Sequence, residues 1–353
     1  MIPKRDKQAV GQHLLAAFRA AGAVEIAPDI LLPAETLLDL YGEDIRARAY
    51  VTADPIRGEM MLRPDFTVPV VQAHMENGAE PARYCYLGEV FRKQDMGDTR
   101  PETLRDSEYL QAGFELFSRD PAADAEVFAL FHRLLAPYGL AAETGDMALV
   151  LDAVGGLPLP DARRAALLHH IWRPGRFQRL LERFSAPATP RDFPTSDAPW
   201  NGLRRPDEMA ARIARMQADM TQAPLAPEWQ DRLARLMALR APAPQALATL
   251  RDLARDMPAI ATATDRLAAR LDTIAAHGID PASLIFDASH GRSTMEYYDG
   301  FTFTFTAPDR NGWPPVASGG RYDALTTVLG KGRAIPAVGG IIRPGLIAEL
   351  ERA

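Results

Sequence analysis

Two groups of strand-like segments lie on either side of a long block that has no strand pattern, and this layout restricts the fold more than any other feature of the chain. Residues 84–92 (YCYLGEVFR) and 108–117 (EYLQAGFELF) read as strands. The pattern resumes at 283–287 (SLIFD) and at 301–306 (FTFTFT), where Phe301, Phe303 and Phe305 alternate with threonines. From about Gly155 to Gly278 the chain is Ala, Leu and Arg punctuated by proline. Helical spacing is visible there in Met209, Ile213, Met216 and Met220, and in Leu233, Leu236 and Leu239, with no convincing strand. Strands on both sides of a helical block imply an α+β domain, a mostly antiparallel sheet flanked by helices, with a helical insertion. The expected boundaries are 1–155 for the first part of the sheet domain, 156–278 for the insertion and 279–353 for the second part.

Other elements follow from the same patterns. An amphipathic helix is expected over 4–21, with Val10, Leu14 and Phe18 four apart and Gly22 as its stop. Residues 49–52 and 59–62 read as short strands joined by an Ala-Asp-Pro-Ile-Arg-Gly turn. A helix is expected over 121–137, a strand at about 147–153, and a Gly-Gly turn at 319–320 leading into a helix over 322–329. The last strand and helix fall within 337–351. Fifteen polar, turn-rich residues from Lys93 to Ser107 separate the two best strands, a length that points to function or disorder.

Composition excludes several classes. A net charge of −6 is not the footprint of a dedicated nucleic-acid binder, and the arginines of the helical block read as solvated helix faces among interspersed acids. The single cysteine, Cys85, makes neither an internal disulfide nor a thiolate cluster, so it reads as a core residue; no metal and no cofactor are expected. No apolar run reaches membrane-spanning length, and the charged start MIPKRDKQAV lacks the apolar core of a signal peptide. A cytoplasmic protein without a membrane partner is the expectation.

The residues that could carry chemistry begin on strand 108–117. Alternation places Leu110, Ala112, Phe114 and Leu116 on one face, and Tyr109, Gln111, Gly113, Glu115 and Phe117 on the other. A small residue between an amide and a carboxylate leaves room for a ligand and can hydrogen-bond it. Arg92, at the end of the preceding strand, offers a planar fork for a carboxylate or phosphate. In Leu62-Arg63-Pro64-Asp65-Phe66-Thr67 the proline ends a strand, and Asp65 and Thr67 either cap the next helix or bind an ammonium.

In this order these pieces resemble class II aminoacyl-tRNA synthetases, and specifically the histidyl-tRNA synthetase family. Leu62 to Thr67 is similar to that family's L-R-P-E-x-T element, and Phe91-Arg92 through Gln111 and Glu115 to its motif 2. Glu296-Tyr297-Tyr298 resembles the histidine-specific D-Y-Y element, and G-G-R-Y-D recurs as Gly319 to Asp323. The order holds from about residue 10 to 350. The resemblance implies a histidine pocket. Asp65 and Thr67 would take the α-ammonium, Gln111 would approach the ligand's polar backbone, and Glu115 would accept an imidazole N–H. Tyr298 and Tyr322 would hold the ring, with Tyr297 beside them, and Arg92 would contact the carboxylate. Glu115→Ala is expected to weaken histidine binding and leave the fold intact. Residues 4–32 resemble the motif 1 dimer region, so a self-dimer is implied.

The departures are as informative. Motif 3 (G-F-x-x-G-x-E-R) corresponds to Val338 through Leu346, where the Glu-Arg pair is absent, Arg343 comes too early and Pro344 is expected to break the helix. The catalytic arginine before D-Y-Y corresponds to Ser293; Arg292 is one residue away and could serve only with a local insertion. Asp95, Asp98, Glu102 and Asp106 put acid in the motif 2 loop, around Met96-Gly97-Asp98 and Pro101-Glu102. The chain stops where the anticodon-binding domain would begin. A kept histidine pocket without these parts resembles the regulatory subunit that accompanies the short form of ATP phosphoribosyltransferase. That resemblance implies no aminoacylation, a hetero-oligomer with the short catalytic subunit, and histidine as feedback ligand of the first step of histidine biosynthesis. The competing readings are a working histidyl-tRNA synthetase, another amino-acid-adenylating enzyme, and a detached stress-sensing domain that would bind uncharged tRNA.

Overall fold

The computed structural model of the chain describes residues 2–41, 45–93, 107–193, 202–292 and 297–352. The first part of the chain runs α1 (Lys4–Ala20), β1 (Val24–Glu25), β2 (Leu31–Pro33), α2 (Ala34–Tyr41), α3 (Ile45–Arg48), β3 (Val51–Asp54), β4 (Gly58–Leu62), α4 (Thr67–Asn77), β5 (Ala82–Phe91), β6 (Glu108–Phe117), α5 (Ala123–Leu135), β7 (Ala141–Asp146) and α6 (Met147–Gly155). The helical block holds α7 (Asp161–His169), α8 (Pro174–Ser185), α9 (Pro206–Met220), α10 (Pro227–Met237), β8 (Arg240–Pro242), α11 (Ala243–Asp256) and α12 (Ala261–Ala276). The chain then runs β9 (Ile285–Asp287), β10 (Phe301–Thr306), β11 (Ala317–Arg321), α13 (Asp323–Leu329), β12 (Ala337–Ile342) and α14 (Pro344–Leu350).

Nine strands form one sheet in the order β1-β5-β6-β12-β11-β10-β7-β9-β8, antiparallel except at β1–β5 and β7–β9. A second, three-stranded sheet has the order β2-β4-β3. The two faces of the large sheet differ because its residues alternate. One face carries Phe114 and the phenylalanines of β10 against α1 and α5: Phe18 lies 5.7 Å from Phe114, and Phe131 lies 5.4 Å from Phe303. Burying rings of this size dominates core energetics. The register fixes the membership of the other face, since Glu115 pairs with Gly339, Gly339 with Gly320 and Gly320 with Thr302. That face is built of small and polar residues, and the candidate site lies on it.

The apolar face holds a buried ionic cluster at its edge. Arg270 of α12 donates to Asp124 at 3.0 Å and to Asp146 at 2.8 Å, and Arg321 pairs with Asp124 at 2.7 Å. Helix α12 is thereby tied to α5, β7 and β11.

Four sequence expectations are corrected. Residues 147–153 form helix, not strand. MALVLDAV is apolar at every position but Asp152, a pattern that periodicity alone assigns to neither state. The deciding contact is Asp146, whose carboxylate accepts from Ala148 N at 3.0 Å as an N-cap. Gly319 and Gly320 lie within β11 rather than in a turn, because both are paired on two sides. The helical block does contain a strand, β8, which joins the sheet edge beside β9. Pro344 starts α14 rather than breaking it; the first helical turn has no use for its missing N–H.

Candidate functional site

The segment after β4 is locked before any ligand is considered. Arg63 lies over the Phe66 ring at 3.9 Å, Phe66 stacks on Tyr86 at 4.2 Å, and Arg63 Nε donates to Glu89 O at 2.9 Å. This stack holds Asp65 and Thr67 at the open face of the sheet. Asp65 accepts from Val68 N at 3.3 Å. Thr67 is not a cap; its hydroxyl donates to Glu115 at 3.1 Å.

Glu115 is 1% exposed and receives three hydroxyls: Thr67 and Tyr86 (2.9 Å) on Oε1, and Tyr322 (2.5 Å) on Oε2. Burial raises its carboxyl to about 7, against the three hydroxyl hydrogen bonds, with Asp65 adding to the rise. An ionised carboxylate has about four acceptor sites. Three donors leave room for one more. Glycines make this packing possible. A Cβ at Gly113 would overlap the Tyr86 ring, and one at Gly339 would overlap Glu115 Oε2.

Above this floor is a cavity of about 220 Å³. Asp65, Thr67, Arg92, Gln111, Tyr297, Tyr298 and Tyr322 line it, with Thr304, Pro315, Ser318, Gly339, Gly340, Ile341 and Arg343. Tyr297 donates to Thr67 at 3.5 Å and stands edge-on to Tyr298 and Tyr322. Gln111 donates to Tyr109 OH at 3.3 Å, while its Oε1 is buried with no hydrogen-bond partner among the described residues. A buried acceptor left unsatisfied costs about 1–3 kcal/mol. A cavity wall is a place where a ligand's donor can restore that bond. At one end of the cavity are two guanidiniums. Arg92 Nε donates to Pro64 O at 3.1 Å; Arg343 donates to Pro315 O at 2.6 Å and lies over the Tyr109 ring at 5.3 Å. Burial pushes the Tyr109 phenol up, but Arg92 and Arg343 outweigh it and leave that phenol below its ordinary value.

The arrangement can bind a small molecule that has a cationic end for Asp65, an anionic end for the arginines and a hydrogen-bond donor toward Glu115. A family model described as histidyl-tRNA synthetase matches residues 4–185 and 207–344. An ATP phosphoribosyltransferase regulatory subunit from Mesorhizobium japonicum is 33% identical over 359 residues, covering 92% of each chain. One from Rhizobium rhizogenes is 31% identical over 96% of each chain. The chain belongs to the histidyl-tRNA synthetase-like family of ATP phosphoribosyltransferase regulatory subunits. In fold it is similar to a Bacillus halodurans protein described as an ATP phosphoribosyltransferase regulatory subunit/histidyl-tRNA synthetase. The TM-score there is 0.72 at 20% identity, over 99% of this chain and 80% of that one. It is also similar to a histidyl-tRNA synthetase from Nostoc sp. PCC 7120, with a TM-score of 0.67 at 16% identity, over 99% of this chain and 72% of that one.

Within this regulatory-subunit family fold, seven of the eight residues singled out from sequence line one cavity, and Glu115 lies beneath it. One expectation fails. The space over Gly113 is taken by Tyr86, so that glycine admits a tyrosine ring and not a ligand. Arg292, one residue from the position of the catalytic arginine, turns away from the cavity: it donates to Ile171 O at 3.1 Å and lies over Phe177 of α8 at 4.9 Å, and burial lowers its pKa. Ser293, Glu296 and the acids at 95, 98, 102 and 106 lie outside the described residues. Tyr86 was missed, although pairing 84–92 with 108–117 puts it opposite Gly113, a signal present in the sequence. Arg343, which comes too early for the motif 3 arginine, lines the cavity all the same, because its place depends on where β12 ends. Cys85 is buried in the core, and burial pushes its thiol up. No helix among the described residues is long and apolar enough to cross a membrane, and no group of three or more His, Cys, Asp or Glu among them is placed to hold a metal ion.

Proposed function

We propose that this chain is the regulatory subunit of a short-form ATP phosphoribosyltransferase and that its cavity binds free histidine for feedback control. The name shared by its relatives supports the first half. One observation carries the second: a buried carboxylate, Glu115, held by three hydroxyls beneath a cavity whose walls offer Asp65 and two arginines. Its one remaining acceptor position suits the N–H of a neutral imidazole, and Asp65 and Arg92 suit the ammonium and carboxylate of an amino acid. A cavity of about 220 Å³ is smaller than the roughly 300–1,000 Å³ that drug-sized ligands occupy, which favours a single amino acid. The catalytic partner is the short phosphoribosyltransferase subunit, which assembly activates; histidine in the cavity biases the complex through differential affinity for its two states. Titration calorimetry with histidine, beside an inhibition curve of the reconstituted complex, tests this. Histidine bound only by the catalytic subunit would make this chain an assembly factor instead.

A second reading has one observation in its favour. Arg343 lines the cavity beside Arg92, so positive charge remains where an adenylating enzyme would need it. Histidine-dependent pyrophosphate exchange by the pure chain, stoichiometric with protein, would establish that reading; none is expected.

A further inference from the structure

We propose that His290 makes the Thr304 hydroxyl a hydrogen-bond acceptor on the cavity wall, where it takes an N–H of the bound ligand; the inference rests on the histidine reading of the site. Thr304 lines the cavity and His290 does not. Register puts Thr304 opposite Ser318 of β11 and Ser318 opposite Ile341 of β12, and all three members of this row line the cavity. Thr302 and Thr304, two apart on β10, share that face. His290 spans both of them: Nδ1 lies 2.7 Å from Thr302 Oγ1 and Nε2 lies 3.0 Å from Thr304 Oγ1. The imidazole has its place because of a glycine on β7. Gly145 pairs with Thr302, and a Cβ there would stand against the His290 Cβ. The backbone holds the ring from the other side, where His290 N donates to Asp287 O at 3.0 Å in the turn after β9.

A neutral imidazole has one N–H and one bare nitrogen, so it donates to one threonine and accepts from the other. Burial lowers the pKa of His290, against the pull of Glu143 and Asp287, which keeps the ring neutral near neutral pH. Thr302, 1% exposed, has a second acceptor in reach, His290 O at 3.5 Å. When Nδ1 carries the proton, Thr302 accepts from it and donates to that carbonyl, and the bare Nε2 takes the Thr304 proton. All the hydroxyl contacts of the ring and its carbonyl are then made. The opposite tautomer sends the Thr302 proton to Nδ1 and leaves the carbonyl contact unmade. With its own proton on Nε2, the Thr304 oxygen has only lone pairs to offer the cavity. Among the described residues His290 is the one hydrogen-bond partner of that hydroxyl. Such an oxygen admits an N–H and repels a carbonyl or carboxylate oxygen, so it discriminates by rejection as well as by attraction. Thr304 is then a contact residue and His290 a positioning residue that acts through it.

Calorimetry with L-histidine on the full chain compares Thr304→Val, which keeps the shape and loses the hydroxyl, with Thr304→Ser, which keeps the hydroxyl. Val should weaken binding about fivefold to a hundredfold, the effect of leaving a donor unpaired, and Ser should stay within about threefold of wild type. Equal affinity in the Val variant, or equal losses in both, overturns the contact. Nitrogen NMR of isotope-labelled wild type reads the tautomer separately, with the His290 signals assigned by their absence from His290→Gln. Nδ1 should show the shift of a protonated nitrogen and Nε2 that of a bare one, and the Nε2 signal should move when L-histidine is added. A proton on Nε2, or an Nε2 signal that bound histidine leaves in place, defeats the proposal, and this measurement stands even if the Val variant does not melt cooperatively. If the wild type binds no histidine, the histidine reading falls and the ligand contact with it, while the tautomer still decides the part given to His290.

Discussion

At Glu115 a carboxylate is buried under three hydroxyl donors, and its energetics follow from that environment. Its folded pKa of about 7 lies above the ordinary 4.5. A carboxyl with a raised pKa favours the folded state while protonated, so its contribution is complete below about pH 4.5 and is lost as pH rises through about 7. Glu115→Gln mimics the protonated form. Its stability relative to wild type should therefore increase between pH 5 and pH 8, measured by urea denaturation in the absence of histidine. A constant difference across that range would show that Glu115 does not titrate there. The same variant should bind histidine about tenfold to a hundredfold more weakly, because it loses the charged acceptor. Alanine is the poorer probe. It strands the hydroxyls of Thr67, Tyr86 and Tyr322 in the interior, so the sequence-based expectation of an intact fold does not carry over. The side chains that line the cavity could be named from sequence because they fall in motifs read from residue type and chain order. Tyr86 is legible in the pairing of 84–92 with 108–117, whereas the place of Arg343 in the cavity wall depends on where β12 ends.

Strands β6 and β12 meet where Gly339 faces Glu115, and no side chain fits between them. Gly339→Ala should lower stability by about 1–3 kcal/mol, the usual range for overpacking, and should weaken histidine binding through displacement of Glu115. An equally stable variant with normal affinity would mean that the floor can shift. The β7–α6 junction is held differently. Asp146, 1% exposed, caps α6 and pairs with Arg270. Asp146→Ala should cost about 3–5 kcal/mol, because Arg270 would be left buried with half its charge partners. Asp252→Ala, at an exposed pair with Arg255, should cost less than about 1 kcal/mol. Comparing the two in urea checks whether the cluster carries the stability assigned to it. Sequence patterns located most elements, but at 147–155 a nearly all-apolar run met a capping residue, Asp146, that is also held by Arg270 of α12, a partner out of reach of any local reading.

For the molecule as a whole, five of the seven exposed large apolar residues among the described ones, Val24, Ile30, Leu31, Val51 and Ile56, come from the segment between α1 and β4; Leu203 and Val328 lie elsewhere. Val24, Ile30 and Leu31 fall within residues 4–32, the region that resembles a motif 1 dimer interface, and a self-dimer is the expected state. Analytical ultracentrifugation of the pure chain at micromolar concentration should find it; a monomer there would remove the expectation. The order of motifs in the sequence already determined the family, the sheet with its helical block, and the residue types of the pocket, because these are properties of local pattern and chain order. Only the tertiary structure decided which face of the sheet is hollow, that Glu115 lies beneath the cavity and not in its wall, that Arg292 turns into the helical block, and that Arg343 joins Arg92. Each of these depends on register between strands distant in sequence, and a shift of one residue moves a side chain to the opposite face.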